Sequence, residues 1–166
     1  MMKEIKVQEL TKDNFNVYGS FADMLNPNGP HLGEEPCEFY RDMGVLTLGR
    51  DSNAGMSITR VKMRPMIIRD LEYHNFTGEA IIPLDGDIYI HVGAAGPKNE
   101  IPFDKLEVFR VPKGTLVIVK PGVWHHGPFA VNDEYVNTLV VLPERTYAND
   151  CTGISIPEDK WCRIIS

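Results

Sequence analysis

Acidic and imidazole side chains cluster in the middle of the chain and recur in one later segment. Glu72 and His74 stand two positions apart, Glu79 follows five positions later, and His125 ends the run PGVWH at 121–125. Residues two apart on a strand point to the same face of a sheet, so Glu72 and His74 share one face. In a closed barrel the later segment returns beside the earlier one, and the four side chains meet in the interior.

This combination of side chains predicts a metal site that also moves protons. Carboxylate and imidazole ligands in such a mixture suit a divalent ion such as Ni, Zn, Mn or Fe. The predicted ligands are Glu72, His74, Glu79 and His125. Imidazole and carboxylate groups also act as general acids and bases, so His74, His125 and Glu79 are the predicted catalytic residues. The spacing leaves open whether Glu79 is a ligand or a base.

Several further residues are candidates for contacting a small anionic substrate. Arg60 is the first of them, because a guanidinium holds a carboxylate through two parallel hydrogen bonds, and Lys120 is a weaker candidate. The hydroxyl of Tyr89, the indole of Trp124 and the imidazole of His126 complete the predicted substrate-binding set. Ordinary roles stay open for each of them, as a surface group or as a packing residue of a barrel.

Short strands separated by turns must position these residues. The turns are rich in Gly, Pro, Asn and Asp and fall at 85–87, 93–99, 112–114 and 121–122. The predicted strands are Ile5–Leu10, Gly44–Leu48, Met56–Met63, Met66–Glu72, Glu79–Leu84, Asp87–Val92, Leu106–Val111, Thr115–Val119 and Tyr135–Leu142. Many short strands at fairly even spacing predict an all-β barrel or sandwich.

The two ends of the chain and one internal segment are less regular. Thr11 is predicted to cap a short helix that runs to Tyr18 and stops at Gly19. Residues 26–36 are rich in Pro, Gly and Asn and are predicted to form a loop. The segment Pro157–Ile165 fits either a short helix or a closing strand, and the sequence does not decide between them.

The composition is that of one ordinary globular domain, predicted to span residues 1–166. A formal net charge of −6, without a basic stripe, argues against nucleic acid as a partner. No apolar run approaches the roughly 20 residues that cross a bilayer, so no membrane association is expected. Three cysteines without a zinc-site spacing predict reduced thiols, and the charged start is no signal peptide, so we expect a cytoplasmic protein.

The spacing of these residues resembles the two sequence motifs of the cupin superfamily. Residues 72–86 read Glu-x-His-x4-Glu-x6-Gly and resemble the first motif, with Glu72 at the position of the usual first His. Gly at 114 followed by Pro-Gly-x2-His at 121–125 resembles the second motif, without the spacer between Pro and Gly and with Phe129 in place of the terminal Asn. The resemblance implies a single-domain cupin, a double-stranded β-helix or jelly-roll barrel with a short N-terminal helix.

A narrower likeness is to the ureidoglycolate lyase family. The stretches that look like this family are SITR at 57–60, LEYH at 71–74, AIIPL at 80–84 and VWHHGPF at 123–129. The opening is also similar, with Phe15-x2-Tyr18-Gly19 after a short strand. The likeness is strongest between residues 60 and 129, whereas residues 26–53 and the C-terminal tail match poorly.

The family resemblance implies a specific activity. It implies that this chain is a homodimeric carbon–nitrogen lyase of allantoin degradation and purine metabolism, which splits ureidoglycolate into glyoxylate and urea, with the elimination assisted by the predicted metal. The residues themselves leave two other functions open. One is a different metal-dependent cupin enzyme, an isomerase or lyase acting on a small sugar acid or carboxylate, and the other is a cupin that binds a small molecule without catalysis.

Overall fold

A computed structural model describes residues 2–50, 52–97 and 100–166 of the chain. Its regular elements are mainly short strands in which apolar side chains alternate with polar ones. The strands are β1 (Lys3–Glu9), β2 (Gly19–Asp23), β3 (His31–Leu32), β4 (Phe39–Tyr40), β5 (Ala54–Lys62), β6 (Ile67–Ile68), β7 (Asp70–Tyr73), β8 (Glu79–Pro83), β9 (Ile88–Val92), β10 (Glu107–Val111), β11 (Thr115–Val119), β12 (Phe129–Ala130), β13 (Tyr135–Pro143), β14 (Thr152–Ser155) and β15 (Cys162–Ile165).

The helices are single turns between these strands. They are α1 (Lys12–Phe15), α2 (Thr146–Asn149) and two 3₁₀ turns at Phe103–Lys105 and Glu158–Lys160. Among the described residues no helix is both long enough and apolar enough to cross a membrane.

Two sheets make up the body of the fold. The larger sheet has the strand order β12-β9-β10-β1-β15-β6, and the smaller has the order β2-β11-β8-β13-β5. β1 pairs in parallel with β10 along one part of its length and with β15 along the other, so it lies inside its sheet. β7 pairs with β14, and β3 pairs with β4, as separate two-stranded ribbons.

The main core lies between the two sheets. Ile90 and Phe109 of the larger sheet are buried in one cluster with Ile81, Val117 and Val136 of the smaller sheet. Removing a side chain of this size from water contributes about 1.5–3 kcal/mol to folding. Two facing sheets with a single short helix near the N-terminus confirm the predicted all-β fold class.

The larger sheet is covered on its outer face as well. Val108 alternates with Phe109 along β10 and is buried in a second apolar cluster with Leu71, Trp124 and Ile164. Because successive side chains of a strand point to opposite faces, this cluster lies on the side of the sheet away from the main core. The strands of the larger sheet are therefore held from both sides.

The N-terminal helix begins as predicted and ends sooner. Thr11 caps it through a reciprocal pair of hydrogen bonds with Asn14, at 3.2 Å to the Thr11 side chain and 2.9 Å to the Asn14 side chain. The helix ends at Phe15, whose ring is fully buried in the main core, and Gly19 already begins β2. A Cβ atom on Gly19 would stand 1.7 Å from the carbonyl oxygen of Ile118, so only glycine allows this approach.

The predicted strand Gly44–Leu48 is wrong. The segment is irregular, and its alternating apolar pattern reflects one-sided packing, with Leu46 against the outer face of the smaller sheet at Ala80 and Ile118. Its backbone bonds to a turn instead of a neighbouring strand, since the Thr47 carbonyl accepts hydrogen bonds from residues 77 and 78. Alternation reports a half-buried extended segment and does not by itself supply a strand partner.

Most other predicted strands are present within one or two residues of their predicted ends. Met66–Glu72 is an exception, because it is divided at Arg69 into β6 and β7, which pair with different partners. The undecided segment Pro157–Ile165 holds both alternatives, a 3₁₀ turn followed by the strand β15. The loop predicted at residues 26–36 contains the two-residue strand β3.

Candidate active site

Strand pairing brings the early and late chemical segments together. β7 carries Glu72 and ends one residue before His74, and Glu79 opens β8 after a turn. Glu72 and His125 face each other across an antiparallel bridge, with backbone N–H···O distances of 2.6 and 2.8 Å. A second bridge joins Gly93 to Trp124. These bridges place residues 123–125 between β7 and β9, which is the return that the sequence predicts.

The centre of the site is the His–Glu–His cluster, formed by His74, Glu79 and His125. The Oε2 atom of Glu79 lies 3.1 Å from the Nε2 atom of each histidine. All three side chains are buried. Each of the three offers one possible ligand atom, and these atoms all lie within 4.8 Å of one another. In the described part of the chain, this is the group of His, Cys, Asp or Glu side chains that converges in this way.

Backbone carbonyls hold both histidine rings through Nδ1, the ring nitrogen that does not face Glu79. The Nδ1 atom of His74 lies 2.7 Å from the carbonyl oxygen of Asp150, and that of His125 lies 2.8 Å from the carbonyl oxygen of Val123. A carbonyl accepts only, so each Nδ1 carries a proton and donates it. Both Nε2 atoms are therefore left to face Glu79, and this is the arrangement of metal-binding histidines whose other nitrogen is held by a carbonyl.

The electrostatics of the cluster call for a positive charge at its centre. Burial opposes ionisation of Glu79, but hydrogen bonds and charge from His125 and His74 outweigh it and lower the pKa of Glu79 to about 2. Burial also disfavours the imidazolium form of His125, yet contact with Glu79 raises its pKa. An ionised carboxylate facing two imidazole nitrogens is stable only when protons or a metal ion stand between them.

Glu72 lies beside the cluster with a different partner. Its backbone bridges to His125, while its half-buried carboxylate accepts a hydrogen bond from Cys151 Sγ at 3.3 Å. Burial and the negative charge of Glu72 raise the pKa of the Cys151 thiol to about 11, so this thiol is protonated and donates. Glu72 is outside the group of converging ligand atoms, and its role as a ligand stays a prediction.

Sequence reasoning missed Asp150, which ties the end of α2 to the cluster. Its carbonyl accepts from His74, and its carboxylate accepts from the backbone N–H groups of Asn75 and Phe76 at 2.8 Å each. One residue therefore holds both the His74 ring and the turn that follows it. No local pattern signals this contact, because 76 positions separate Asp150 from His74.

Three of the predicted substrate-binding residues have other contacts. Trp124 is buried outside the main core, edge-on to Tyr73 at 4.5 Å, and its indole N–H donates to the Glu100 carbonyl at 3.3 Å. Tyr89 packs in the same outer cluster. The exposed Lys120 donates to the carbonyl of Asn16 after α1.

The other two predicted substrate-binding residues lie together in one cavity, between β5 and residues 126–129. Arg60 stands on the face of β5 opposite the buried Val61, with its guanidinium 4.4 Å from the centre of the Tyr135 ring. Arg60 and His126 both line that cavity. The substrate-binding role of Arg60, Lys120 and the others stays a prediction.

Fold and site together define the class of protein, a mostly-β, cupin-like protein with a buried His–Glu–His cluster. Residues 2–162 match the family model described as ureidoglycolate lyase. The chain belongs to the ureidoglycolate lyase family. This confirms the family named from the sequence motifs.

Two curated relatives agree with this assignment, and one solved structure agrees with the fold. The ureidoglycolate lyase of Escherichia coli O1:K1 / APEC is 26% identical over 161 residues, which cover 96% of this chain and 98% of that protein. The same values hold for the ureidoglycolate lyase of Shigella boydii serotype 18. A dTDP sugar isomerase from Desulfovibrio desulfuricans G20 superposes with a TM-score of 0.51 at 16% identity, over 85% of each chain. That structural likeness concerns the fold alone.

Proposed function

We propose that this chain is a ureidoglycolate lyase, which cleaves ureidoglycolate to glyoxylate and urea. The observation that carries the proposal is the His–Glu–His cluster, buried in a chain that matches the lyase family over nearly its whole length. The family likeness indicates the substrate, and the cluster supplies groups able to bind a metal and to move protons. A role in allantoin and purine degradation follows from that substrate.

A divalent metal fits the cluster. Two imidazole Nε2 atoms and one ionised carboxylate converge, and backbone carbonyls fix both ring orientations. This donor set suits Ni, Zn, Mn or Fe, and we propose that His74, Glu79 and His125 hold the ion, with Glu72 as a fourth candidate ligand. When bound, such an ion supplies Lewis acidity, which polarises the substrate oxygens and favours loss of the hydroxyl proton.

The reaction requires one proton to leave and one to return. The hydroxyl O–H bond breaks, a C=O bond forms as the C–N bond breaks, and the departing urea nitrogen gains a proton, so that no net proton is consumed. The chain's predicted proton carriers are His74, His125 and Glu79. Glu72 is a further candidate, because its backbone is bridged to His125 and its half-buried side chain is outside the group of converging ligand atoms.

Glyoxylate release tests the proposal directly. Protein loaded with Ni or Mn is incubated with ureidoglycolate, and glyoxylate is measured against the spontaneous rate. We expect turnover by the wild type, loss of turnover and of bound metal in His125→Ala, and no change in His31→Ala, which removes an exposed imidazole. Glyoxylate at only the spontaneous rate from metal-loaded wild type would exclude the lyase activity.

We further propose a cytoplasmic homodimer built from one domain of residues 1–166. All three cysteines are free, as is usual in a reducing compartment. Met56 and Ile58 are exposed apolar residues on the edge strand β5, where a second copy would cover them. Sedimentation should show a dimer that Ile58→Lys weakens, whereas Val45→Lys, at an exposed apolar residue elsewhere, should leave it intact.

A further inference from the structure

Three strand segments meet at Glu72 and determine which side chains face the interior. Glu72 is paired with Gly153 of β14 on one side and with His125 on the other. Directly paired residues of antiparallel strands point to the same face. Their chain neighbours Tyr73 and Trp124 point the other way, with ring centres 4.5 Å apart in the outer apolar cluster. Glu72 and His125 therefore face the interior, and position 153 shares that face.

Glu72 lies at the accessible edge of the His–Glu–His cluster. His74 and His125 are each 4% exposed, whereas Glu72 is half-buried. Its strand partner Gly153 has no side chain, and a Cβ atom there would meet no heavy atom within 4 Å beyond its chain neighbours. Open space therefore borders Glu72 on the face that it shares with the cluster.

One oxygen of the Glu72 carboxylate is held, and the other is free. Oε2 accepts a hydrogen bond from Sγ of Cys151 at 3.3 Å. Cys151 stands two residues before Gly153, so its side chain points to the same interior face. Among the described residues, no hydrogen-bond donor or cation contacts Oε1 of Glu72. The thiol thus fixes the direction of the carboxylate and leaves one oxygen to act on a ligand.

The type of donor matters as much as its position. Glu72 lies outside the group of ligand atoms that converge within 4.8 Å of one another, and its hydrogen bond to Cys151 keeps it there. A thiol is a weak, neutral donor, so it orients the carboxylate without neutralising its charge. A lysine or arginine at position 151 would form an ion pair with Glu72 and compete with the substrate for it.

We propose that Cys151 is a positioning residue for the lyase reaction, which holds Glu72 so that its free oxygen carries the proton. This inference rests on the proposed function. Oε1 of Glu72 accepts the hydroxyl proton of the substrate as the C=O bond forms. A proton returns to the urea nitrogen as the C–N bond breaks, so that no net proton is consumed. The substrate reaches Glu72 through the open space over Gly153.

Replacing Cys151 tests the positioning role. We expect Cys151→Ala to lower kcat about 10-fold or more and to change KM less than about 3-fold, because a misplaced proton carrier slows the chemical step. Cys151→Ser keeps a donor and should recover most of the loss. Cys37→Ala removes an exposed thiol elsewhere and should change neither constant. Glyoxylate release by the metal-loaded proteins gives both constants, and thermal unfolding shows that each variant is folded.

A double-mutant cycle separates positioning of Glu72 from general support of the fold. In the Glu72→Gln background, Cys151→Ala should have no further effect on kcat, since the thiol acts through the carboxylate. Competition with a chelator gives a readout that does not depend on activity. The metal affinity of Cys151→Ala should not fall below that of wild type, because Cys151 holds none of the three converging ligands.

The open space is tested at position 153. Gly153→Leu fills it and should raise KM about 10-fold or more, because it obstructs the approach of the substrate. The adjacent Thr152 is exposed and points to the opposite face of β14, so Thr152→Leu should leave KM unchanged. An unchanged KM in folded Gly153→Leu would overturn the approach over this residue.

The outcomes distinguish this inference from the proposed function. Unchanged kcat in folded, metal-loaded Cys151→Ala would overturn the positioning role while the lyase activity stands. A loss of metal affinity that matches the loss of kcat, or an undiminished effect of Cys151→Ala in the Glu72→Gln background, would overturn it too. Absence of turnover by metal-loaded wild type would instead overturn the proposed function, and this inference with it.

Discussion

The shared contact of Glu79 with two fixed imidazoles determines what single residues can do in this site. The carbonyls of Asp150 and Val123 accept hydrogen bonds from the Nδ1 atoms of His74 and His125. The two rings therefore cannot flip, and both Nε2 atoms stay directed at Glu79. Glu72 is the nearby carboxylate with an undecided role, since it is bound to Cys151 and stands beside His125.

Replacing Glu72 by Gln distinguishes a ligand from a proton carrier. We expect the Glu72→Gln protein to keep its metal and to lose about 100-fold or more in kcat, the usual contribution of a general acid or base. Metal content by mass spectrometry of the purified protein and steady-state kinetics measure the two effects. A fall in metal content that parallels the fall in kcat would instead make Glu72 the fourth ligand.

At the scale of elements, the segment after α2 positions the active site from outside the barrel strands. Asp150 accepts from His74 through its carbonyl and from Asn75 and Phe76 through its carboxylate. Loss of that carboxylate releases the turn that carries His74 toward Glu79. Groups that orient metal ligands typically contribute 10- to 100-fold in affinity or activity.

We therefore predict that Asp150→Ala weakens metal binding by about 10-fold or more while most of the fold survives. Competition with a chelator measures the affinity, and Asp150→Asn, which keeps one acceptor oxygen, should restore part of it. The neighbouring exposed residue Asn149 gives the control, as Asn149→Ala leaves these hydrogen bonds in place. Equal metal affinity in wild type and Asp150→Ala would contradict the positioning role.

The local sequence pattern predicted the strands well where each strand pairs with another strand of the core. It failed where a contact between residues far apart in the sequence determines the structure or the role of a residue. The interior position of Glu79 could be predicted from the spacing, because Glu79 begins the strand β8 directly after a turn and its side chain is buried. Gly44–Leu48 was assigned to a strand wrongly, because its alternation records one-sided packing without a ladder. Asp150 could not be found, since its role depends on a contact with a residue 76 positions away.

At the scale of the whole molecule, the ion pair between Asp87 and Arg110 makes the free energy of unfolding depend on pH. Asp87 accepts hydrogen bonds from Arg110 at 2.7 and 3.0 Å and from the backbone N–H of Lys113 at 2.9 Å. Burial opposes its ionisation, but these bonds outweigh burial and lower the pKa of Asp87 below its usual value. Its contribution to stability is therefore complete above the unfolded pKa and is lost as pH falls through the folded pKa.

Asp87→Asn should accordingly destabilise the protein near neutral pH and make it less sensitive to acid. The ion pair between Asp87 and Arg110 is partly exposed, so we expect the free energy of unfolding to fall by about 0.5–1 kcal/mol at pH 7. The difference from wild type should shrink as pH falls below about 4. Urea unfolding at several pH values measures it, with Asp159→Asn as the exposed control. A difference that grows toward acid pH would contradict this assignment.

The central claim, that His74, Glu79 and His125 hold a divalent metal in a lyase, is tested most directly by anomalous diffraction. Crystals of the metal-loaded protein are measured on both sides of the absorption edge of the metal. We predict one strong peak at about 2.0–2.2 Å from both Nε2 atoms and from a carboxylate oxygen of Glu79. A catalytically active crystal with its metal peak elsewhere, or without one, would contradict the account.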